Sequence, residues 1–574
     1  MNRQMRYWLL PILLLGISLA LVLPSITARA AKAVPSPLVI GRVYDHQGQP
    51  VRGAQVTLNS GQGSEPLAQA TTQPDGYYEL SVPKILSDTL TVEIKRPHFQ
   101  DAQIKLDAAA IQSLQGGGSV VLPSTVLRRR ITPAFWIATL VFVAMLVLIA
   151  TEQLHNTLAA LVGAAVLFAV SYLGSPLLQN LFIFDFTGAV RYVDWNVIFL
   201  IMGMMIVIAV VQKTGIFRWL AFTAYRLSGG NAWLLVPILM LMTGVTSAFL
   251  DNVTTMLLMT PITVQIALAL GINPLALLMP ELMASNVAGI STLVGTPTNI
   301  LIGSYADISF NNFLVNLTPG VLLALIGLIV YNELIYRRGL DAASGVSPVL
   351  LEKLAERGHI TEPDHLKKAG WVGAGMLTLF VLGEQVHLVP AVTALMGATA
   401  LLVWIRPDIE EMIDAVDWTT LVFFMALFIV VGAIQEVGLI SLIADEIGRL
   451  VGQNLILTII TVTVSAAVFS TVIPNIPFTT AMLPVVGYLS AIVPGAHSKV
   501  LFYCLSVGSA LGGNGSLIGA SANMVTAGIA ERAGYPITYM YFLKKGLPAM
   551  LITVGLAALW LLLRFLVLSS PPPG

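Results

Sequence analysis

Charge is what this sequence has least of. Only 10% of its 574 residues are Asp, Glu, Lys or Arg, while 56% are hydrophobic. A soluble domain carries about 25% charged residues, so the composition reads as that of a polytopic membrane protein. The net charge is +0, which leaves no electrostatic footprint for nucleic acid. There is one cysteine, Cys504, inside an apolar run. It excludes an intramolecular disulfide framework and a CxxC metal or redox motif, and it reads as packing. No Walker loop is present: residues 512–516 (GGNGS) are glycine-rich but lack the Gly-Lys-Ser/Thr ending and a preceding soluble strand. An ATP-driven pump is thereby excluded.

What is there falls into blocks. Residues 1–33 place Arg3 and Arg6 before an apolar stretch, then small residues at Ala28-Arg29-Ala30 and Ala31-Lys32-Ala33. This is the pattern of a secretory signal peptide, with an uncleaved anchor as the alternative. Residues 34–127 alternate apolar and polar positions between turn signals and predict a small extracytoplasmic β-sandwich. Its Asp75-Gly76 turn predicts a hairpin of the strands on either side. Asp45 and His46 lie in a solvated turn rather than a metal site. Residues 133–337 and 370–568 are series of apolar runs of about 20 residues, the length that crosses a bilayer. A polar linker, 338–369, separates them.

The two series are copies. Asp194-Trp195 recurs 223 residues on as Asp417-Trp418. At the same shift Gln212 meets Gln435, Gly215 meets Gly438, Asn252 meets Asn475, Met259 meets Met482 and Pro261 meets Pro484. Gly295 and Asn299 meet Gly519 and Asn523 at a shift of 224. The predicted fold is all-α, with two inverted repeats of five spans plus a re-entrant hairpin. Repeats with broken helices are the mark of secondary transporters. Lys213, Arg218, Arg226, Arg337, Arg338, Lys367, Lys368, Arg532, Lys544 and Lys545 fall in loops predicted cytoplasmic, which places the protein in the cell inner membrane with residues 34–127 outside. Arg128, Arg129 and Arg130 break that rule.

Polar residues inside hydrocarbon survive where they line a site. Asn252 and Asn475 fall at the predicted hairpin tips, with Thr254, Thr255, Thr479 and Thr480 beside them. An amide offers donors and an acceptor, so it serves an oxyanion or a cation's shell. The breaks at Gly295-Thr296-Pro297-Thr298-Asn299 and Gly519-Ala520-Ser521-Ala522-Asn523 are predicted to be unwound and to face those tips. Freed carbonyls there suit Na⁺ near Asn252, Gly295, Asn475 and Gly519. Thr296, Asn299, Ser521 and Asn523 complete the expected binding set. Asp251 and Glu281 are the intramembrane carboxyls, candidates for coupling to H⁺ or Na⁺. Asp251 is preferred, and Pro474 stands at its matching position, so the site is asymmetric.

Residues 39–58 and 71–83 resemble the carboxypeptidase-regulatory-like, transthyretin-like sandwich. FLDNVTTMLLMTP, ELMASNVAGISTLVGTPTN, PNIPFTTAMLP and LGGNGSLIGASANMV resemble the ion-transporter superfamily. The similarity is greatest to the group of arsenite permeases, the P protein and D-type Na⁺/H⁺ antiporters. Divalent-anion/sodium symporters carry Ser-Asn-Thr at both tips; here Asp251 and Pro474 replace the Ser, and Val253 and Ile476 the Thr. P-protein relatives carry Gly-Asp-Pro-Pro-Asn at the first break, where Thr296 and Thr298 replace the Asp and second Pro. The resemblance implies elevator-type secondary transport of a small inorganic or organic ion, often by a homodimer, with Na⁺ or H⁺ as driving ion. Na⁺/H⁺ antiport or arsenite transport is preferred, with a sodium-coupled dicarboxylate or sulfate symporter as alternative. An extracytoplasmic ligand sensor is the reading from another class. No cofactor beyond the coupling ion, no catalytic residue and no nucleic-acid partner is expected, and membrane lipid surrounds the whole.

Overall fold

The computed structural model describes residues 37–60, 66–82, 89–151, 153–341 and 358–568. The signal segment and residues 342–357 of the linker lie outside them. The chain divides into two compact units, 1–130 and 131–574.

In the first unit, strands β1 (Leu38–Asp45), β2 (Gln55–Ser60), β3 (Ala68–Thr71), β4 (Tyr77–Ser81), β5 (Leu90–Lys95), β6 (Ala102–Lys105), β7 (Val120–Val121) and β8 (Thr125–Leu127) form two sheets. One runs β4-β1-β7, with β8 also on β1; the other runs β3-β2-β5-β6. Alternation along β1, β2 and β5 turns Val39, Val43, Val56, Leu58, Val92 and Ile94 into a shared core. Helix α1 (Ala108–Gln115), capped by Asp107, adds Ile111 and Leu114. The Asp75-Gly76 turn forms, but not the predicted hairpin. β3 pairs with β2 and β4 with β1, so this turn carries the chain from one sheet to the other. Asp45 Oδ1 accepts the Gln47 and Gln49 backbone N–H groups, both at 2.9 Å, which occupies it as a turn cap. The exceptional arginines belong to this unit. Gln100 donates its N–H to the Arg128 carbonyl, Arg130 donates to the His98 carbonyl, and the Arg129 guanidinium lies 4.7 Å from the Phe99 ring centre.

The second unit is helical. Its first half contains α2 (Pro133–Ala150), α3 (Asn156–Ala169), α4 (Trp195–Lys213), α5 (Ile216–Ser228), α6 (Ala232–Phe249), α7 (Asn252–Ala269), α8 (Leu275–Ala288), α9 (Pro297–Ala306) and α10 (Phe310–Asp341). The second half contains α11 (Pro363–Leu382), α12 (Pro390–Ile405), α13 (Trp418–Val437), α14 (Leu439–Val451), α15 (Leu455–Val472), α16 (Asn475–Ile492), α17 (Val500–Gly512), α18 (Ser521–Arg532) and α19 (Tyr539–Leu562). Each member of the first series has its counterpart nine places later. Among the described residues, eleven helices are long and apolar enough to cross a membrane by length and composition.

The repeated residues now have structural reasons. Asp194 and Asp417 cap α4 and α13, accepting backbone N–H groups with their carboxylates. Gly215 (φ 79°) and Gly438 (φ 96°) hold the left-handed turn that starts α5 and α14, a conformation that costs glycine nothing. Both of these helices are amphipathic: α5 buries Phe217, Ala221 and Ala224 on one stripe, and α14 buries Ile440 and Ala444. They were not foreseen as separate elements. The halves also interlock. α3 packs on α13 as α12 packs on α4, and α7 packs on α18 as α16 packs on α9.

Candidate functional site

The site is built from two breaks and two tips. α8 ends at Ala288, passes through a single 3₁₀ turn (Gly289–Ser291), and the chain is extended at Thr292 before Thr296 caps α9. α17 ends at Gly512, makes a 3₁₀ turn (Gly513–Gly515), extends at Ser516, and Ala520 precedes α18. Thr296 (φ −143°, ψ 144°) and Ala520 (φ −143°, ψ 141°) have nearly the same backbone. The unwound stretches therefore lie a few residues earlier than the sequence predicted. Thr298 and Asn299 are already helical, because Thr296 supplies a cap and Pro297 suits the first helical position, and Ser521 and Asn523 are likewise helical, in α18.

Matched hydrogen bonds hold the two breaks. Asn299 Nδ2 donates to the Ile290 and Thr292 carbonyls at 2.8 and 2.7 Å. Asn523 Nδ2 donates to the Gly513 and Ser516 carbonyls at 2.7 and 2.9 Å. The Thr292 hydroxyl donates to the Ala248 carbonyl, and its counterpart Ser516 donates to the Thr471 carbonyl. Ser247 donates to the Ser285 carbonyl at 3.0 Å as Ser470 does to that of Ser509 at 2.6 Å. Each unwound stretch is thus tied to the end of the neighbouring helix, α6 or α15. Space is tight there: a Cβ on Gly295 would come 2.4 Å from the Gly289 oxygen, and one on Gly519 2.9 Å from the Ser470 oxygen.

The halves differ in how the amides meet. Asn252, first residue of α7, donates through Nδ2 to Asn286 Oδ1 at 2.7 Å. Asn286 Nδ2 donates across to Asn514 Oδ1 at 2.9 Å and Asn523 Oδ1 at 3.1 Å. Asn514 Nδ2 reaches the Met283 carbonyl at 3.3 Å. Four asparagines from both halves thus form one buried chain, and Asn299 joins the halves separately by accepting from Ser506 Oγ at 2.5 Å. Asn286 and Asn514 were missed as site residues. Their matching positions are Ala510 and Ile290, so the repeat does not flag them.

The other expected residues divide. Asn475 opens α16 and is buried, 6% exposed, but has no counterpart of the Asn252–Asn286 bond. Thr255 and Thr479 are buried with no partner for their hydroxyls. Thr254 is spent on Asp251: its N–H donates to Oδ1 at 2.9 Å and its hydroxyl to Oδ2 at 2.6 Å. Thr480 bonds the Ile476 carbonyl of its own helix at 2.9 Å, and Ser521 is exposed. Thr296 Oγ1 lies 3.0 Å from Thr298 Oγ1 and accepts the Asn299 N–H at 3.2 Å. Asp251 is half-buried and caps α7 with both oxygens in use. Glu281 lies apart from the amide chain, fully buried in α8, its Oε1 accepting from Thr243 at 2.7 Å.

α7, α9, α16 and α18 all begin at the tips or breaks. Helix N-termini carry about half a positive charge each. Two cavities lie at opposite ends of α4. One, of about 740 Å³, is lined by Gln212, Lys213 and Arg218 with Pro261 and Gln265 of α7. The other, of about 300 Å³, is lined by Asn196 with Ser304, Asp307, Glu384 and His387.

Buried amides at helix breaks, among this many candidate spans, define a multi-pass membrane transporter. Residues 146–501 match the citrate transporter family, CitMHS, and residues 39–115 match the carboxypeptidase regulatory-like domain. The chain belongs to the CitMHS family. It is 37% identical over 433 residues to an uncharacterized transporter of Mycobacterium tuberculosis, covering 75% of this chain and 99% of that protein. It is 32% identical over 522 residues to the human P protein, covering 77% of this chain and 61% of that one. The fold is similar to that of Neisseria gonorrhoeae MtrF, described among a class of antimetabolite efflux pumps, with a TM-score of 0.51 at 12% identity over 76% of this chain and 97% of the other.

Proposed function

We propose that the protein is a secondary active transporter of a small ion, driven by Na⁺ or H⁺, in the cell inner membrane. What carries this reading is the asparagine chain, in which Asn252 at one tip is linked through Asn286 to Asn514 and Asn523 of the other half. Amides and helix N-termini without a basic side chain suit a small ion, with Na⁺/H⁺ antiport or arsenite-like cargo preferred. The two cavities at opposite ends of α4 support alternating access, the Lys213 and Arg218 end facing the cytoplasm. The tips move with α8 and α9 as one body in an elevator motion, within a homodimer. Residues 34–127 form an accessory module outside the cytoplasm. Asp251 and Glu281 are the carboxyls available for coupling.

The citrate transporter description of the family and the four helix N-termini at the tips and breaks favour a second reading, a sodium-coupled carboxylate or sulfate symporter. Reconstituted protein assayed against Na⁺/H⁺ exchange, arsenite, sulfate, citrate and dicarboxylates separates the two. Substituting Asn252 and Asn475 together by Ala is expected to abolish whichever flux is found. Flux that survives loss of both amides overturns the site.

A further inference from the structure

α6, α7 and α8 enclose a polar cluster separate from the asparagine chain. Glu281 of α8 is fully buried; Thr243 of α6 satisfies Oε1 at 2.7 Å, and Oε2 has no hydrogen-bond partner among the described residues. On α7, Thr260 and Thr263 lie one turn apart on the buried stripe. Thr263 lies beside the Glu281 carboxyl but outside hydrogen-bond geometry, and neither threonine hydroxyl has a partner among the described residues.

The fold does not need this cluster. In the second half, Ala466 stands for Thr243, Leu505 for Glu281, Leu483 for Thr260 and Val486 for Thr263. There α15 packs on α17 as α6 packs on α8, with Ala466 against Gly508. Four polar positions in one copy, all apolar in the other, point to a task rather than to packing.

The charges around it are distant in role. α6 and α7 hold no charged residue, and Asp251, which caps α7, is engaged by Thr254. The charged residues of the other helices packed on α8, namely Glu333 and Arg337 of α10, Lys544 and Lys545 of α19, and Glu531 and Arg532 of α18, form no ion pair with Glu281 among the described residues. An unpaired ionised carboxylate in such a place costs several kcal/mol. A proton on Oε2 removes that cost and turns the unpaired acceptor into a donor, with the Thr263 hydroxyl beside the carboxyl as its acceptor.

We propose that Glu281 is a proton-carrying site belonging to the first half alone, with Thr243, Thr260 and Thr263 as the hydroxyl cage that receives its acid form. It takes a proton from water on one side of the membrane when the α6–α8 body opens there, and returns it to water on the other. The proposal rests on the transporter reading and makes H⁺, not Na⁺, the ion at this position.

Infrared spectra of the full-length protein in lipid at neutral pH test it without any transported ion. A protonated-carboxyl C=O band is expected, lost in Glu281→Gln and shifted in Thr243→Val. A spectrum without that band, a band unchanged in Glu281→Gln, or one that Na⁺ removes at constant pH each overturns the proton site. In proteoliposomes, the ratio of pH-gradient-driven uptake to equilibrium exchange is expected to collapse in Glu281→Gln. A variant that loses both in equal measure overturns the carrier role and leaves Glu281 a packing residue. Should the wild type move none of the tested ions while the band behaves as expected, the transport reading fails and the protonation site stands.

Discussion

At the scale of single residues, the break regions combine close backbone approach with shared amides. Gly295→Ala and Gly519→Ala push a methyl group into a neighbouring backbone oxygen and should each cost about 1–3 kcal/mol, read as a lower Tm in detergent. Asn286→Ala removes the residue that serves three other asparagines. An unsatisfied buried polar group costs about 1–3 kcal/mol, so this variant should lose stability and flux together, measured by Tm and proteoliposome uptake. Asp251 separates capping from charge. Asn caps as well as Asp, while Ala costs about 1 kcal/mol; Asp251→Asn should therefore keep its Tm and Asp251→Ala should lower it. A loss of coupling in the Asn variant would then belong to the charge alone. What was legible in the sequence at this scale was whatever the repeat preserved: Asn252, Asn475, Asn299, Asn523, Gly295 and Gly519. Asn286 and Asn514 were not, because a comparison of copies discards positions where the copies differ, and the link between the halves is built from such positions.

At the scale of elements, local signals and long-range partners separate. The Asp-Trp pairs and the broken helices could be read directly, while Gly215 and Gly438 could be read only as a repeat match, their left-handed turn being given by the structure. Asp194→Ala and Asp417→Ala should each cost about 0.5–2 kcal/mol, equally in the two halves by thermal unfolding. The Asp75-Gly76 turn shows the opposite case. Its geometry is local, but β4 finds β1 about forty residues back, and nothing in a turn encodes that choice. The β-unit also holds a pH-sensitive pair. Lys95 at 2.8 Å from Glu93, helped by Gln103, holds that carboxyl below the usual range. A lowered pKa contributes stability above the ordinary carboxylate value and loses it as pH falls through the folded one. Glu93→Gln should flatten the acid limb of that unit's unfolding, followed by near-UV signal against pH.

At the scale of the whole molecule, the two units are compact separately, and no element of the amide chain comes from the first. Deleting residues 34–127 while keeping residues 1–33 should leave uptake by the membrane unit, measured per molecule inserted; loss of all uptake would make the β-unit part of the transport machinery. The membrane unit contains two matched series of helices. Both build the scaffold of the break, while Asp251, Glu281 and Asn286 of the first and Asn514 of the second have no like residue at the matching position.

The helix ends at the breaks have a further meaning. Peptide dipoles hold no proton, so the positive field they cast over the asparagines is the same in acid and in alkali. A site lined by histidine would answer pH at its own address. Around the asparagines that field stays constant, and a response to acidity has to come from titratable side chains elsewhere, the buried Glu281 among them.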